Sequence, residues 1–201
     1  QVDNRSELIL PGFPSPQGLY HPGNEHDGCG IGFVANIKGQ KSHDIVEKGL
    51  QVLANLTHRG AQGCDPCTGD GAGVLSQIPH DFFHRVAAEL GIDLPIAGAY
   101  GVGMVFLPQD PKARKQCEAL FEAIIREEGQ EFLGWRDVPA KEDQIGMQAR
   151  KTMPAIRQFF VARELLNPTQ FERKLYVISK RITRAVRESA LPGKEWVYLS
   201  S

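Results

Sequence analysis

The chain has 201 residues, a formal net charge of −1 and 41% hydrophobic residues, which is typical of a globular protein. The nearly neutral charge gives no general reason to bind nucleic acid or an anionic membrane surface. No apolar run reaches the roughly 20 residues of a membrane-spanning helix. Residues 1–6 lack the basic start and apolar core of a secretory signal. Four cysteines in so long a chain do not make a disulfide scaffold, so we expect a cytoplasmic protein.

Residues 1–28 are rich in Pro, Gly, Asn and His and show no helical or strand period. They are predicted to form an extended leader without a core of its own, because the prolines interrupt any helix. The predicted boundary is the Gly28–Cys29 bond.

Cys29 leads directly into residues 31–37, whose aromatic and β-branched side chains predict a buried strand. Gly30 and Gly32 remove side chains from the start of that strand, so another backbone or a ligand can approach closely. A cysteine at the mouth of a rigid element, with open space in front, suits a nucleophile. A buried structural cysteine explains the same residues equally well.

The rest of the chain alternates between helical and strand patterns. Predicted helices begin at Ser42, Pro79, Asp110 and the Thr169/Glu172 capping box, and end near Gly60, Gly91, Gly129 and Val186 respectively. Predicted strands cover 74–78, 99–107, 131–138, 156–162 and the chain from 195 onward. Residues 60–73 read as a loop, and 139–153 are ambiguous. The pattern leaves parallel and antiparallel sheets both open.

Three short stretches could carry chemistry: Cys29-Gly30-Ile31-Gly32-Phe33, Thr57-His58-Arg59-Gly60-Ala61 and Thr68-Gly69-Asp70-Gly71-Ala72-Gly73. Each is weak alone. The glycine-rich loop lacks the Lys-Ser/Thr pair of a phosphate-binding loop. Cys64 and Cys67 have zinc-knuckle spacing but no second pair, so two incidental thiols explain them better than a metal. The basic stretch 150–187 is better explained as a solvated or docking face than as a nucleic-acid patch.

Taken together and in this order, the three stretches resemble the start of the class II glutamine amidotransferase domain of glutamate synthase large subunits. Further likeness runs through 100–108, 134–139 and 171–178, and so over nearly the whole chain. Two positions depart from the usual pattern, since Gly28 and Cys64 stand where alanine is common. The family's later motifs, which hold the substrate carboxylate and line the oxyanion hole, are absent from the sequence.

The resemblance implies an α+β fold, the αββα sandwich of N-terminal-nucleophile hydrolases with two antiparallel sheets, truncated at its C-terminal end. Residues 1–28 would be a propeptide, and 29–201 an incomplete amidotransferase domain. Removal of the leader would make Cys29 the nucleophile that hydrolyses L-glutamine. The resemblance also implies supporting roles for Arg59 and Gly60 at the helix end and for Asp70 and Gly71 in the glycine-rich loop.

No cofactor or metal is expected within this chain. In the family, FMN and an iron–sulfur cluster belong to the synthase part, which receives the ammonia. The implied partners are L-glutamine, the remaining domains of the large subunit, and a small reductase subunit or ferredoxin. The alternative is a catalytically silent domain or precursor that packs against the rest of a large subunit. We expect the chain alone to hydrolyse glutamine weakly.

Overall fold

The computed structural model describes residues 17–18, 30–60, 65, 67–164 and 166–200, apart from the side chain of His58. Cys29, Cys64 and almost all of the predicted leader lie outside the described residues. The chain divides between Leu75 and Ser76 into two compact units.

The described part of the first unit contains one long helix, α1 (His43–Asn55), which a short 3₁₀ turn over Thr57–Arg59 extends. The predicted helix start at Ser42 is confirmed, although the Ser42 side chain makes no capping hydrogen bond. The Asn36 side chain accepts hydrogen bonds from the backbone of Lys38 and Gln40, and Gly39 turns with a φ of 68°. This turn connects residues 30–36 to the segment that precedes α1.

The predicted buried strand over 31–37 is wrong in the described structure. Residues 30–36 have no regular secondary structure, and Ile31, Phe33 and Ile37 are 92–104% exposed. The predicted strand over 74–78 is also absent, with Leu75 88% exposed. Strand propensity describes a side chain's fit to a pleated, half-buried surface. Among the described residues neither segment is paired in the sheet, so the sequence preference alone does not make a strand.

The second unit is built on a four-stranded antiparallel sheet in the order β2-β3-β1-β4. Its strands are β1 (Tyr100–Leu107), β2 (Glu131–Asp137), β3 (Ala155–Ala162) and β4 (Tyr198–Leu199). The first three confirm predicted strands, and the pairing settles the direction that the sequence left open. The last predicted strand shrinks to two residues, because Lys194–Trp196 form a 3₁₀ turn instead.

Two long helices cover one face of this sheet: α3 (Pro111–Glu127) and α5 (Pro168–Glu188). Their apolar stripes meet the odd-numbered residues of β1 and β3 in the main core. Phe121, at the centre, is fully buried and packs edge-on against Phe159. The alternation of a strand puts the even-numbered residues on the opposite face.

That opposite face is partly covered by α2 (His80–Glu89), whose start after Pro79 matches the prediction. Phe83 and Ala87 of α2 pack with Tyr100 and Phe160 in a second, smaller cluster. Farther along β1, Met104 and Phe106 are only half-buried. The ambiguous region 139–153 holds a 3₁₀ turn over Glu142–Gln144 and the short helix α4 (Met147–Thr152).

One helix cap lies where the sequence predicts it, and another lies at a different position. Asp110 accepts a hydrogen bond from the Ala113 backbone at 2.7 Å, as predicted from Asp-Pro. The capping box of α5 is formed by Asn167 and Gln170, two residues before the predicted Thr169/Glu172 pair. Pro168 occupies the first helical position, where its missing N–H costs nothing.

Taken together, the described residues confirm an α+β fold with an antiparallel sheet. They contain one such sheet, so they do not by themselves make the two-sheet sandwich that the sequence led us to expect.

Candidate functional site

Four of the predicted site residues lie within the described structure: Arg59, Gly60, Asp70 and Gly71. The predicted nucleophile, Cys29, lies outside the described residues. The next residue in sequence, Gly30, is described, and its contacts are the described contacts nearest in sequence to the predicted nucleophile.

Arg59 is held at the end of α1 by backbone hydrogen bonds. Its N–H donates to the Leu56 carbonyl at 2.8 Å, and the Gly60 N–H donates to the Thr57 carbonyl at 3.3 Å. Gly60 then leaves the helix in an extended conformation, with φ −95° and ψ 148°. The His-Arg-Gly sequence thus ends the helix as predicted, but without a left-handed glycine.

The stem of Arg59 lies directly against Gly30. A Cβ built on Gly30 would be 3.2 Å from the Cβ and 3.3 Å from the Cγ of Arg59, and 3.1 Å from Leu56 Cδ2. The residue that follows Cys29 in sequence is therefore in contact with the helix end that carries Arg59. Two of the three predicted stretches are joined here.

A second contact of this segment was not predicted. A Cβ built on Gly32 would be 2.6 Å from Val52 Cγ1, closer than carbon atoms pack in proteins. Val52 and Leu56 are one helical turn apart, and Gly30 and Gly32 are one strand repeat apart. The sequence shows two glycines and two apolar side chains at these spacings. It does not show that they pack together, because that requires knowing that the segment lies beside the helix.

The glycine-rich loop is organised around Asp65. The Asp65 carboxylate accepts hydrogen bonds from the Cys67 backbone at 3.0 Å and the Thr68 hydroxyl at 3.2 Å. Asp70 and Gly71 follow on the exposed side, and Gly71 has a φ of 84°. Among the described atoms, nothing lies within 4 Å of a Cβ built on Gly71. The described contacts therefore do not test the predicted roles of Asp70 and Gly71, which stay predictions.

The described cysteines differ in environment. Cys117 is fully buried in the core, and burial, followed by the charge of Glu118, raises the pKa of its thiol. Because only the thiolate is a good nucleophile, Cys117 is a packing residue. Cys67 is exposed. Among the described residues, no group of three or more His, Cys, Asp or Glu side chains could hold a metal ion, while the zinc hypothesis for Cys64 and Cys67 stays untested.

The basic stretch 150–187 is partly neutralised within the unit that carries it. Lys174 Nζ and Arg181 Nη1 contact the two oxygens of Glu128 at 2.7 and 2.6 Å. Arg157 contacts Glu118 at 2.6 Å, and its guanidinium lies 5.2 Å from the centre of the Trp135 ring. These contacts favour a structural role for much of the basic stretch over nucleic-acid binding. Within the described part of the chain, no helix is long and apolar enough to cross a membrane.

Comparison with known proteins adds what the geometry cannot. Residues 29–201 match the family model of class-II glutamine amidotransferases. The chain is 51% identical over 171 residues to the glutamate synthase (NADPH) large chain of Bacillus subtilis, covering 84% of this chain and 11% of that protein. It is 41% identical over 169 residues to the chloroplastic ferredoxin-dependent glutamate synthase of Oryza sativa, covering 83% and 10%. It is 37% identical over 197 residues to the NADH glutamate synthase of Schizosaccharomyces pombe, covering 94% and 9%.

The chain thus spans about a tenth of the length of these relatives. Because the family match covers most of its residues and begins at Cys29, the chain belongs to the class-II glutamine amidotransferases.

Proposed function

We propose that this chain is the glutaminase part of a glutamate synthase and that Cys29 is its nucleophile. The observation that carries the proposal is the family match, which begins at Cys29 and leaves residues 1–28 outside it. The packing of Gly30 against Arg59 supports it, because it ties the residue after the cysteine to the His-Arg-Gly helix end.

In this proposal the leader is removed by cleavage of the Gly28–Cys29 bond. Cleavage converts the amide nitrogen of Cys29 into an α-amino group, whose reference pKa of about 7.7–8.0 lets it accept a proton near neutral pH. It can then take the thiol proton, so that no separate histidine base is needed. Before cleavage the same nitrogen is an amide and cannot act as a base, so the uncleaved chain is inactive.

The thiolate attacks the side-chain amide carbon of L-glutamine. As the carbon–nitrogen bond breaks, the ammonium group of Cys29 gives its proton to the leaving nitrogen, and ammonia departs. The resulting γ-glutamyl thioester is hydrolysed by water, which regenerates the thiol and releases glutamate. Each step moves one proton between the sulfur, the main-chain amine and the departing or attacking group.

The other predicted site residues support this centre in the proposal. Arg59 holds the main chain at the start of the mature protein through its stem, which contacts Gly30. Gly60 lets the chain leave the helix at that point. Asp70 and Gly71 would line the substrate side through a loop whose glycines let backbone amides approach.

We further propose that the complete domain is the two-sheet αββα sandwich. Supporting this, the four-stranded sheet is covered by α3 and α5 on one face, whereas Met104 and Phe106 on the other face are half-buried. A sheet with an apolar second face needs a second layer. In the sandwich that layer is the second antiparallel sheet.

The ammonia would be used by a synthase part that forms glutamate from 2-oxoglutarate. An iron–sulfur cluster needs converging cysteine thiolates, and Cys67 is exposed whereas Cys117 is enclosed in the core. These two described cysteines do not fit a cluster, so we place FMN and the cluster in other parts of the synthase. The remaining domains, a small reductase subunit or ferredoxin, and a cytoplasmic location stay predictions.

The test is Cys29→Ala in the complete synthase, with the exposed Cys67→Ala as the matched control. We expect Cys29→Ala to abolish glutamine-dependent glutamate formation while ammonia-dependent formation persists, and Cys67→Ala to retain both. Equal loss of both activities in Cys29→Ala would contradict the assignment. Mass spectrometry of the mature protein separates the silent alternative, because a retained leader favours a structural precursor and a start at Cys29 favours the enzyme.

A further inference from the structure

The two glycines after the proposed nucleophile face a helix rather than a ligand. Gly30 lies against Leu56 and Arg59 just after α1, Gly32 lies against Val52 of α1, and Val34 is half-buried. Between them, Ile31 is 96% and Phe33 92% exposed. This alternation indicates that one side of the segment packs on the helix. At Gly30 and Gly32, the side chains of the helix occupy the space that a Cβ would fill.

The contact at Gly32 is the tighter of the two. A Cβ at this position would be 2.6 Å from Val52 Cγ1, whereas carbon atoms in contact prefer about 3.5–4.0 Å. Val52 lies inside α1, where a β-branched side chain has one strongly preferred rotamer. The valine therefore does not swing aside, and an added methyl group must move the segment by about 1 Å.

Such a movement reaches the reacting atom through few bonds. Gly30 is bonded to Cys29, and consecutive Cα atoms lie about 3.8 Å apart across a trans peptide. A misplacement of about 1 Å at a reacting group can cost about 100-fold in rate.

We infer that the close packing of Gly30 and Gly32 on Val52 and Leu56 sets the position of the Cys29 thiol, so that Gly32 and Val52 are positioning residues for glutamine hydrolysis. The inference rests on the proposed function of Cys29. It assigns the two glycines a role different from ligand access: they let the segment that follows the proposed nucleophile pack closely on the helix.

The experiment is a double-mutant cycle in the complete synthase with Gly32→Ala, Val52→Ala and the combination of both. Val52→Ala removes the atom that an alanine at position 32 would meet, so the double variant should regain what Gly32→Ala loses. Gly49→Ala is the control on the same helix, because no described atom lies within 4 Å of its Cβ position. Glutamine hydrolysis gives kcat and KM, and an unchanged KM reports that the glutamine site is intact. Ammonia-dependent glutamate formation reports that the synthase part is intact.

We expect Gly32→Ala to lower the kcat of glutamine hydrolysis by about 10- to 100-fold, with KM and the ammonia-dependent rate within about twofold. The double variant should return to within about threefold of Val52→Ala, because the clash has been removed. A Gly32→Ala protein as active as Gly49→Ala overturns the inference, and so does a double variant as impaired as Gly32→Ala.

Should Gly32→Ala also lose the ammonia-dependent rate, Gly30→Ala decides. Its Cβ would meet Leu56 Cδ2 at 3.1 Å and the Cβ and Cγ of Arg59 at 3.2 and 3.3 Å, a milder conflict than the one at Gly32. A kcat lowered by about 3- to 10-fold in Gly30→Ala supports the inference, and an unchanged kcat overturns it. Failure of the proposed function is separate, because then Cys29→Ala itself would leave glutamine hydrolysis intact.

Discussion

Replacement of Glu128 by Gln tests the electrostatic link between α3 and α5. Glu128 follows the last residue of α3, where a negative charge is unfavourable beside the helix C-terminus. It remains charged because Lys174 and Arg181 reach it from α5 at 2.7 and 2.6 Å. The hydrogen bond from Lys174, and then that from Arg181, holds the pKa of the Glu128 carboxyl below its usual range.

The expected loss of unfolding free energy depends on how far water screens the charges of Glu128, Lys174 and Arg181. The Glu128 side chain is only 15% exposed, but Lys174 is 31% and Arg181 42% exposed. Exposed ion pairs contribute about 0–1 kcal/mol, and hydrogen bonds to charged groups about 1.5–3 kcal/mol. Between these limits, we expect Glu128→Gln to lower the free energy of unfolding by about 1–2 kcal/mol at pH 7.

The pH dependence has a definite sign. Because the folded carboxyl has the lower pKa, its stabilising contribution is complete above the unfolded value of about 4.3 and disappears as the pH falls through the folded value. The difference in unfolding free energy between wild type and Glu128→Gln should therefore be constant from pH 7 to about 5. It should shrink below about pH 4.

Urea unfolding followed by tryptophan fluorescence measures this difference. Both tryptophans, Trp135 and Trp196, lie after residue 75, so the signal reports the unit that contains the cluster. Glu127→Gln is the matched control, because Glu127 is 59% exposed and contacts only Arg181 among these cations at 2.6 Å. A loss in Glu128→Gln no larger than in Glu127→Gln, or a difference between wild type and Glu128→Gln that is as large at pH 3 as at pH 7, would refute the reasoning.

Three further changes test the packing and the caps of the same unit by urea unfolding. Phe121→Ala should cost about 3–5 kcal/mol, because the ring is fully buried at the centre of the core; a cost below 1 kcal/mol would mean that the core is looser than described. Asn167→Ala should cost about 1 kcal/mol and Thr169→Ala much less, since the capping bonds are made by Asn167; the reverse order would restore the cap predicted from sequence. Asp110→Ala should also cost about 1 kcal/mol, because its carboxylate accepts a hydrogen bond from the Ala113 backbone; a cost no larger than that of Thr169→Ala in the same unit would contradict this.

The helices and the central strands could be predicted from sequence because local rules and tertiary packing agree in them. The apolar stripe of α5 and the alternation of β1 each have a partner in the same unit. The cap of α5 was misplaced by two residues because Asn167-Pro168 and Thr169 are both typical helix starts. Only the geometry shows which side chain reaches the free N–H groups.

The first unit shows where local rules stop. Residues 31–37 have the composition of a strand. A strand forms only when it pairs with another strand, and the sequence of the segment alone does not show whether the fold provides one. The same holds for the site. The sequence pointed to Arg59 and to space at Gly30 and Gly32, and the structure places the stem of Arg59 against Gly30. Val52 could not be found, since nothing in an ordinary helical valine distinguishes a core contact from a positioning contact.

The exposed side of residues 31–37 bears on what completes the site. Ile31, Phe33 and Ile37 are almost fully exposed, and burying each such side chain contributes about 1.5–3 kcal/mol. The other side of the segment is already occupied by α1, so a further layer can cover only the exposed side. A nucleophile at the start of this segment would then be fixed from both sides, by the helix through two glycines and by the new layer through these apolar side chains. In the proposed mechanism, such an arrangement would supply the fixed geometry that a thiol needs to attack an amide carbon with little reorganisation.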